Sequence, residues 1–175
     1  MNEDEVVANI GTIARSGTAS FLSNITGDKK KDSNLIGQFG VGFYSVFMVA
    51  DKVEVISKSV FEDSDKAILW ESSGEEKYKL KEVTKENNGT DIIIYLNDDN
   101  KEFAEEGRVR FLLEKYSQYI NFPLNLITSE NDSKRINDAD ALWLKPKRSI
   151  KEEEYKEFYK HVSNDFNDPA RTIHN

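Results

Sequence analysis

The chain has 175 residues, 38% of them hydrophobic and 32% charged, a net charge of -8 at pH 7 and no cysteine. That length can bury the core of one domain, or of one with an added piece. The acidic balance excludes a duplex nucleic-acid partner, which needs basic residues against phosphates, and the missing cysteines exclude disulfides, thiolate metal sites and cysteine nucleophiles.

No apolar run is long enough to span a bilayer, and Met1-Asn2-Glu3-Asp4-Glu5 is unlike a signal peptide, so the expectation is a cytoplasmic protein with no membrane partner. Asn2 and Glu5 form a capping-box pattern that predicts a helix starting near Glu3, and Val6, Ile10 and Ile13 then recur at helical spacing. Asn9 and Gly11 interrupt it before a third turn. Asn9, Thr12, Arg15 and Ser16 suit either an exposed face or the lining of a site. Ala19 to Ile25 predicts a short helix between glycine joints at Gly17 and Gly27, a segment able to swing as a flap. Lys29-Lys30-Lys31, flanked by Asp28 and Asp32, reads as a solvated loop.

Gly37-Gln38-Phe39-Gly40-Val41-Gly42-Phe43-Tyr44-Ser45 sets three glycines within six positions and runs into an apolar segment, Tyr44 to Ala50, expected to be a buried helix. Glycines leave backbone N–H groups uncovered, and where such a loop opens a helix those donors suit a phosphate or another anion. Gly42 is followed by Phe43-Tyr44 where a P-loop has Lys-Ser or Lys-Thr, and G-x-x-G-x-G after a polar run is not the dinucleotide fingerprint. Spacing alone leaves two readings open, an anion cradle and a hinge that lets a hydrophobic helix pack closely.

Beyond Ala50 the period changes to two. Val53 to Ser57, Ala67 to Trp70, Tyr78 to Val83 and Thr90 to Leu96 predict strands of an antiparallel meander covered on one face by helices, with a turn at Asn87-Asn88-Gly89. Asp91 to Leu96 is apolar on both faces and is expected centrally. Phe103 to Ile120 returns to helical spacing with a Val109, Leu112, Leu113, Tyr116 stripe, and Leu124 to Thr128 predicts one more strand. The polar stretch Ser129 to Asp140 resembles a linker, after which a Ser149/Glu152 cap predicts a helix striped by Tyr155, Phe158, Tyr159 and Val162, with little nearby to pack on. His161 and His174 lack partners at metal spacing, and structural or surface roles are expected of them.

Six strings carry a resemblance. Asn9 to Thr18, the Gly37 to Ser45 loop and Trp70-Glu71-Ser72 resemble the amino-terminal ATP-binding domain of the ninety-kilodalton heat-shock chaperones. Ala141-Leu142-Trp143, Glu153 to Lys160 and Asp165 to Pro169 resemble the start of that family's middle domain. The connection at 129–140, free of a long acidic run, resembles the bacterial branch.

The resemblance implies an α+β fold, the two-layer sandwich of the gyrase, heat-shock protein 90, histidine kinase and MutL ATPases. It implies an ATP-binding domain over 1–128 with a lid at about 16–36, a linker over 129–140 and the beginning of a middle domain over 141–175. It also implies ATP and Mg2+ as cofactors, client proteins as partners, a homodimer at full length, and an ATP-driven chaperone function. Its nucleotide-binding positions fall on Asn9, on Arg15 and Ser16 near the ribose and phosphates, on the amides of Gly37, Gln38, Phe39, Gly40, Val41, Gly42 and Phe43, and on Thr90 near the adenine. A lysine is usual where Arg15 stands.

Met1 matches the last residue of the family's Asp-x-Gly-x-Gly-Met motif, so the expectation is an interior fragment whose adenine-reading aspartate, magnesium-binding asparagine and general base lie upstream, and whose γ-phosphate arginine lies downstream. Each charge-assisted hydrogen bond so lost is worth roughly 1.5–3 kcal/mol. No catalytic residue is therefore assigned within the chain, and no ATPase is expected of it alone. A competing expectation is a non-catalytic interaction module that keeps the fold without nucleotide turnover.

Overall fold

A computed structural model describes residues 1–12, 39–120, 122–128, 132–137 and 141–174. The chain divides into two compact units, Met1–Ala104 and Glu105–Asn175. The expected flap at 19–25, the rest of the lid and the lysine run lie outside the described residues.

In the first unit, helix α1 spans Glu3–Asn9, and its capping box is present in both directions, with Glu5 N–H donating to Asn2 Oδ1 at 2.9 Å and Asn2 N–H to Glu5 Oε2 at 2.8 Å. The helix ends at Asn9 as its sequence requires. Gly11 sits too close for any side chain, since a Cβ there would meet the Val7 carbonyl at 2.6 Å and the Tyr78 hydroxyl at 2.8 Å.

The segment expected as a buried helix is a 3-10 helix over Gly42–Met48 with no fully buried residue. Three residues per turn stack Gly42, Ser45 and Met48 on one exposed row, while Phe43 and Val46, and Tyr44 and Phe47, turn inward. Four antiparallel strands follow, β1 (Ala50–Lys58), β2 (Lys66–Ser72), β3 (Tyr78–Thr84) and β4 (Gly89–Leu96), then a further 3-10 segment at Asp98–Ala104. Val6, Ala50, Val53, Val55 and Trp70 form the core, with Met1, Ile10, Phe43, Phe47 and Leu80 packed on it.

The sheet order is β3-β2-β1-β4, so only the first three strands make the expected meander. β4 crosses over to pair with β1, matching Val53 with Ile94 and Val55 with Ile92, and is an edge strand among the described residues rather than a central one. The buried Lys58 lies at the end of β1 beside this connection. Its ammonium donates to the Glu86 carbonyl at 2.9 Å and pairs with Asp65 at 3.2 Å, holding the β3–β4 connection against the end of β1.

The second unit contains α2 (Glu106–Ser117), β5 (Asn125–Ile127) paired with β6 (Ser133–Arg135), two 3-10 turns at Leu142–Leu144 and Lys147–Ser149, and α3 (Glu152–Ser163). Val109, Leu112 and Leu113 turn inward on α2, but Tyr116 faces solvent. The polar stretch expected as a linker contributes β6 and the buried Asn137. Asn137 accepts from Leu124 N–H and donates to the Ile120 and Phe122 carbonyls, each at 2.8 Å, so its polarity serves as a clamp.

The start of α3 differs from the Ser149/Glu152 expectation. Glu154 accepts from the Lys151 N–H at 2.9 Å, whereas Ser149 bonds back to the Pro146 carbonyl at 2.7 Å within the preceding turn. Nor does α3 lack neighbours, for Phe158 meets the rings of Tyr119 and Trp143 at 5.6 and 5.8 Å.

Candidate functional site

The described part of the glycine loop starts at Phe39, which is 76% exposed. Gly40 turns the backbone with φ of 65°, a left-handed conformation that a side chain would strain. The first hydrogen bond of the following 3-10 helix runs from Tyr44 N–H to the Val41 carbonyl at 3.3 Å. Upstream of it, among the described residues, the amides of residues 40 to 43 meet no backbone acceptor. A Cβ built on Gly42 would meet nothing within 4 Å, so open space lies beside that residue. Residues 39–48 carry no charged side chain, which leaves the backbone to attract an anion. Phe43 holds the loop down through its ring, packed on Trp70 at 5.8 Å and Phe47 at 6.4 Å.

Asn9 is half-buried in the last turn of α1, and the loop is tied to that turn. The Tyr44 hydroxyl donates to the Ile10 carbonyl at 2.6 Å, and its burial pushes the phenol pKa up. At the other end of α1, Met1 N donates to Ser57 Oγ at 2.7 Å, and Ser57 Oγ shares a 2.8 Å hydrogen bond with Thr90 Oγ1. The seven residues of α1 thus separate a hydroxyl pair from the amide-lined loop by about 10 Å along the helix. Hydroxyls can donate to or accept from a heteroatom, and uncovered amides can hold an oxyanion.

Arg15, Ser16, Gly37 and Gln38 lie outside the described residues. Phe39 and Val41 point their side chains to solvent, so only their backbone can serve an anion beside the loop. Two residues were missed at the level of sequence. Ser57 had a signal, a hydroxyl on the inward-facing row of Val53 and Val55, and it is fully buried. Tyr44 had none, because its partner is a carbonyl 34 residues away.

Among the described residues no group of three or more His, Asp or Glu side chains is placed to hold a metal ion, and no helix is long and apolar enough to cross a membrane. His161 packs edge-on to Tyr119 and His174 Nδ1 hydrogen-bonds the Tyr155 hydroxyl at 2.6 Å.

Comparison with known proteins decides what this arrangement belongs to. The chain is 47% identical, over its whole length, to a protein named Chaperone protein HtpG from Vibrio vulnificus strain YJ016. A protein of the same name from Pasteurella multocida is also 47% identical, and one from Vibrio campbellii 46%. The Hsp90 protein family model matches residues 128–175. The chain is similar to the heat-shock protein 90 family. It spans 29% of the length of these relatives. The four-stranded antiparallel sheet with helices packed on it agrees with the α+β fold of the heat-shock protein 90 type of ATPase.

Proposed function

We propose that the chain is part of an ATP-driven, cytoplasmic molecular chaperone that acts on unfolded client proteins, and that it supplies the phosphate-holding loop of the nucleotide site. One observation carries the reading. Among the described residues the amides of residues 40 to 43 meet no backbone acceptor, a Cβ on Gly42 would meet nothing within 4 Å, and the Tyr44–Ile10 bond ties the loop to the residue after Asn9, in a chain 47% identical to proteins named as chaperones.

In this reading the triphosphate lies on the loop, with Gly37 and Gln38 extending it and Arg15 and Ser16 beside the ribose and phosphates. The adenine lies toward Thr90, whose hydroxyl is already oriented by Ser57. The loop fits the phosphates of ATP. The described residues do not form a site for the Mg2+ that accompanies it. The nucleotide-binding part runs to residue 128, and 141–175 begins the next domain, which the family-model match from residue 128 supports. At full length the protein is a homodimer, and residues 16–36 close over the nucleotide.

The test is titration of ATP into the chain extended upstream of Met1 to the extent of its relatives, followed by calorimetry. Binding is expected, and Gly42→Val is expected to weaken it at least about tenfold by occupying the space beside the amides. Silence from the extended protein would establish the non-catalytic module instead. The 175-residue chain alone is expected to hydrolyse no ATP. Magnesium-dependent turnover in it, abolished by Gly40→Val, would overturn that part of the reading.

A further inference from the structure

Of the asparagines in the sequence, Asn88 alone is followed by glycine. It stands in the connection between β3 and β4, one residue before the ladder with β1 begins at the Lys58–Gly89 pair. Gly89 has φ of 123°, a conformation that residues with a side chain rarely adopt, and a Cβ built on it would meet nothing within 4 Å. Nothing on residue 89 therefore crowds the Asn88 carboxamide. The chain on either side of the pair is fixed. Upstream, the Lys58 ammonium donates to the Glu86 carbonyl at 2.9 Å, and Lys85 N–H donates to the Asp65 carbonyl at 2.8 Å. Downstream, Thr90 Oγ1 shares a 2.8 Å hydrogen bond with Ser57 Oγ, and Asp91 is paired with Lys85. The Asn-Gly pair thus lies in a short free stretch between two anchored ones.

We propose that Asn88 is a site of spontaneous covalent modification, at which the chain converts its own asparagine to aspartate and isoaspartate and so displaces Thr90. The Gly89 amide nitrogen, its proton taken by water, attacks Asn88 Cγ. The N–Cγ bond forms, the Cγ–Nδ2 bond breaks, and the side-chain nitrogen leaves as ammonia with a proton returned from water. The product is a five-membered succinimide, which water opens at either carbonyl carbon. Breaking the new N–Cγ bond leaves aspartate on an unchanged backbone. Breaking the original peptide bond leaves isoaspartate, whose main chain runs through Cβ and Cγ. The net exchange is NH2 for OH, with nothing oxidised or reduced. Isoaspartate lengthens the main chain by one carbon between the anchors at Glu86 and Thr90, much as a bulge lengthens a strand, and the displacement falls on the Ser57–Thr90 bond at the end of the ladder. The chemistry involves no nucleotide. Its effect on ATP rests on the proposed function, in which the adenine lies toward Thr90, and there it makes affinity decline as the molecule ages.

The test is to age the full-length protein in warm, mildly alkaline buffer and to map its peptides by mass and fragmentation. Position 88 is expected to gain about 1 Da, the difference between NH2 and OH. The peptide is expected to split into two chromatographic forms, one of which accepts a methyl group from an isoaspartate methyltransferase. Conversion is expected to be about tenfold or more faster than at Asn87, whose following residue carries a side chain. Asn88→Gln, which could close only a six-membered ring, is expected to abolish the gain. In the isoaspartate form, hydrogen exchange over Gly89–Leu96 is expected to accelerate and ATP affinity, measured by calorimetry, to fall several-fold, while aged Asn88→Gln keeps both. Asn88→Asp carries the charge without the extra carbon and is expected to match fresh wild type. No mass gain at 88, an equal rate at Asn87, unchanged exchange in the isoaspartate form, or Asn88→Asp already exchanging like that form would each overturn the proposal. Fresh protein that binds no ATP would overturn the nucleotide reading alone, and mass and exchange would still decide the modification.

Discussion

The Tyr44 hydroxyl and the Ile10 carbonyl, 2.6 Å apart, join the 3-10 helix after the glycine loop to the end of α1. No charge is involved, so the tether is insensitive to salt. Tyr44→Phe removes the donor and leaves a partly buried carbonyl unpaired, which is expected to cost about 1 kcal/mol in urea unfolding. The same variant is expected to weaken ATP binding several-fold in the upstream-extended protein, because the loop loses its register with Asn9. An unfolding free energy equal to wild type would show that the bond contributes nothing.

The tether also predicts an alkaline limit. Burial raises the Tyr44 pKa above its ordinary value of 10.0, so the folded state holds the proton more tightly than the unfolded chain does. Its stabilisation is present below the unfolded value and is lost as pH rises through the folded one. Urea midpoints measured from pH 8 upward are expected to fall more steeply in wild type than in Tyr44→Phe.

Two glycines separate binding from stability. A Cβ at Gly42 meets open space, so Gly42→Ala is expected to unfold within about 0.5 kcal/mol of wild type while impairing anion binding. At Gly11 a Cβ would strike the Val7 carbonyl at 2.6 Å, and Gly11→Ala is expected to destabilise the first unit by about 1–3 kcal/mol. Thermal melts of the two variants check the contrast. Equal losses would place both glycines in purely structural roles.

In the second unit, Asn137→Ala leaves one N–H and two carbonyls without their partner. Roughly 2–4 kcal/mol of stability is expected to be lost there. Hydrogen exchange at Leu124 and in β5 is the local readout, and unchanged protection would contradict the clamp.

Acid is expected to loosen the other side of that unit. Lys160 and Lys156 hydrogen-bond Asp168 at 2.9 and 3.2 Å and hold its pKa below the ordinary carboxylate value. A lowered folded pKa contributes stability that is present above the unfolded pKa and disappears as pH falls through the folded one. Asp168→Asn at neutral pH is expected to reproduce part of the effect of acidification on exchange in the segment after α3, and then to change less than wild type as pH falls, the remainder coming from Asp165, which the Asn167 N–H also holds below its ordinary value.

Legibility in the sequence followed the range of the interaction involved. The Asn2/Glu5 cap spans three residues and could be read directly, as could the period-two runs that became β1 to β4. The place of β4 could not, because its pairing with β1 joins residues far apart in the sequence, Val53 with Ile94 and Val55 with Ile92. Hydrophobicity on both faces of Asp91 to Leu96 suggested a central strand, and among the described residues it is an edge strand with Ile92, Ile93 and Ile94 exposed. Polarity at 129–140 suggested a linker because composition does not distinguish a solvated asparagine from one that satisfies three backbone groups. Of the site, the glycine loop and Asn9 were legible as residue types. Their proximity rests on Tyr44, and the Ser57–Thr90 pair on strand register.

The chain has two tryptophans, one in each compact unit, and their surroundings are opposite. Trp70 is 2% exposed among the rings of Phe43, Phe47 and Tyr78, whereas Trp143 is 53% exposed. Their fluorescence should therefore separate by colour and by access to a soluble quencher such as iodide, blue and shielded for Trp70, red and quenched for Trp143. The unlabelled protein carries a native reporter for each half, and melting of one can be timed against the other in a single cuvette.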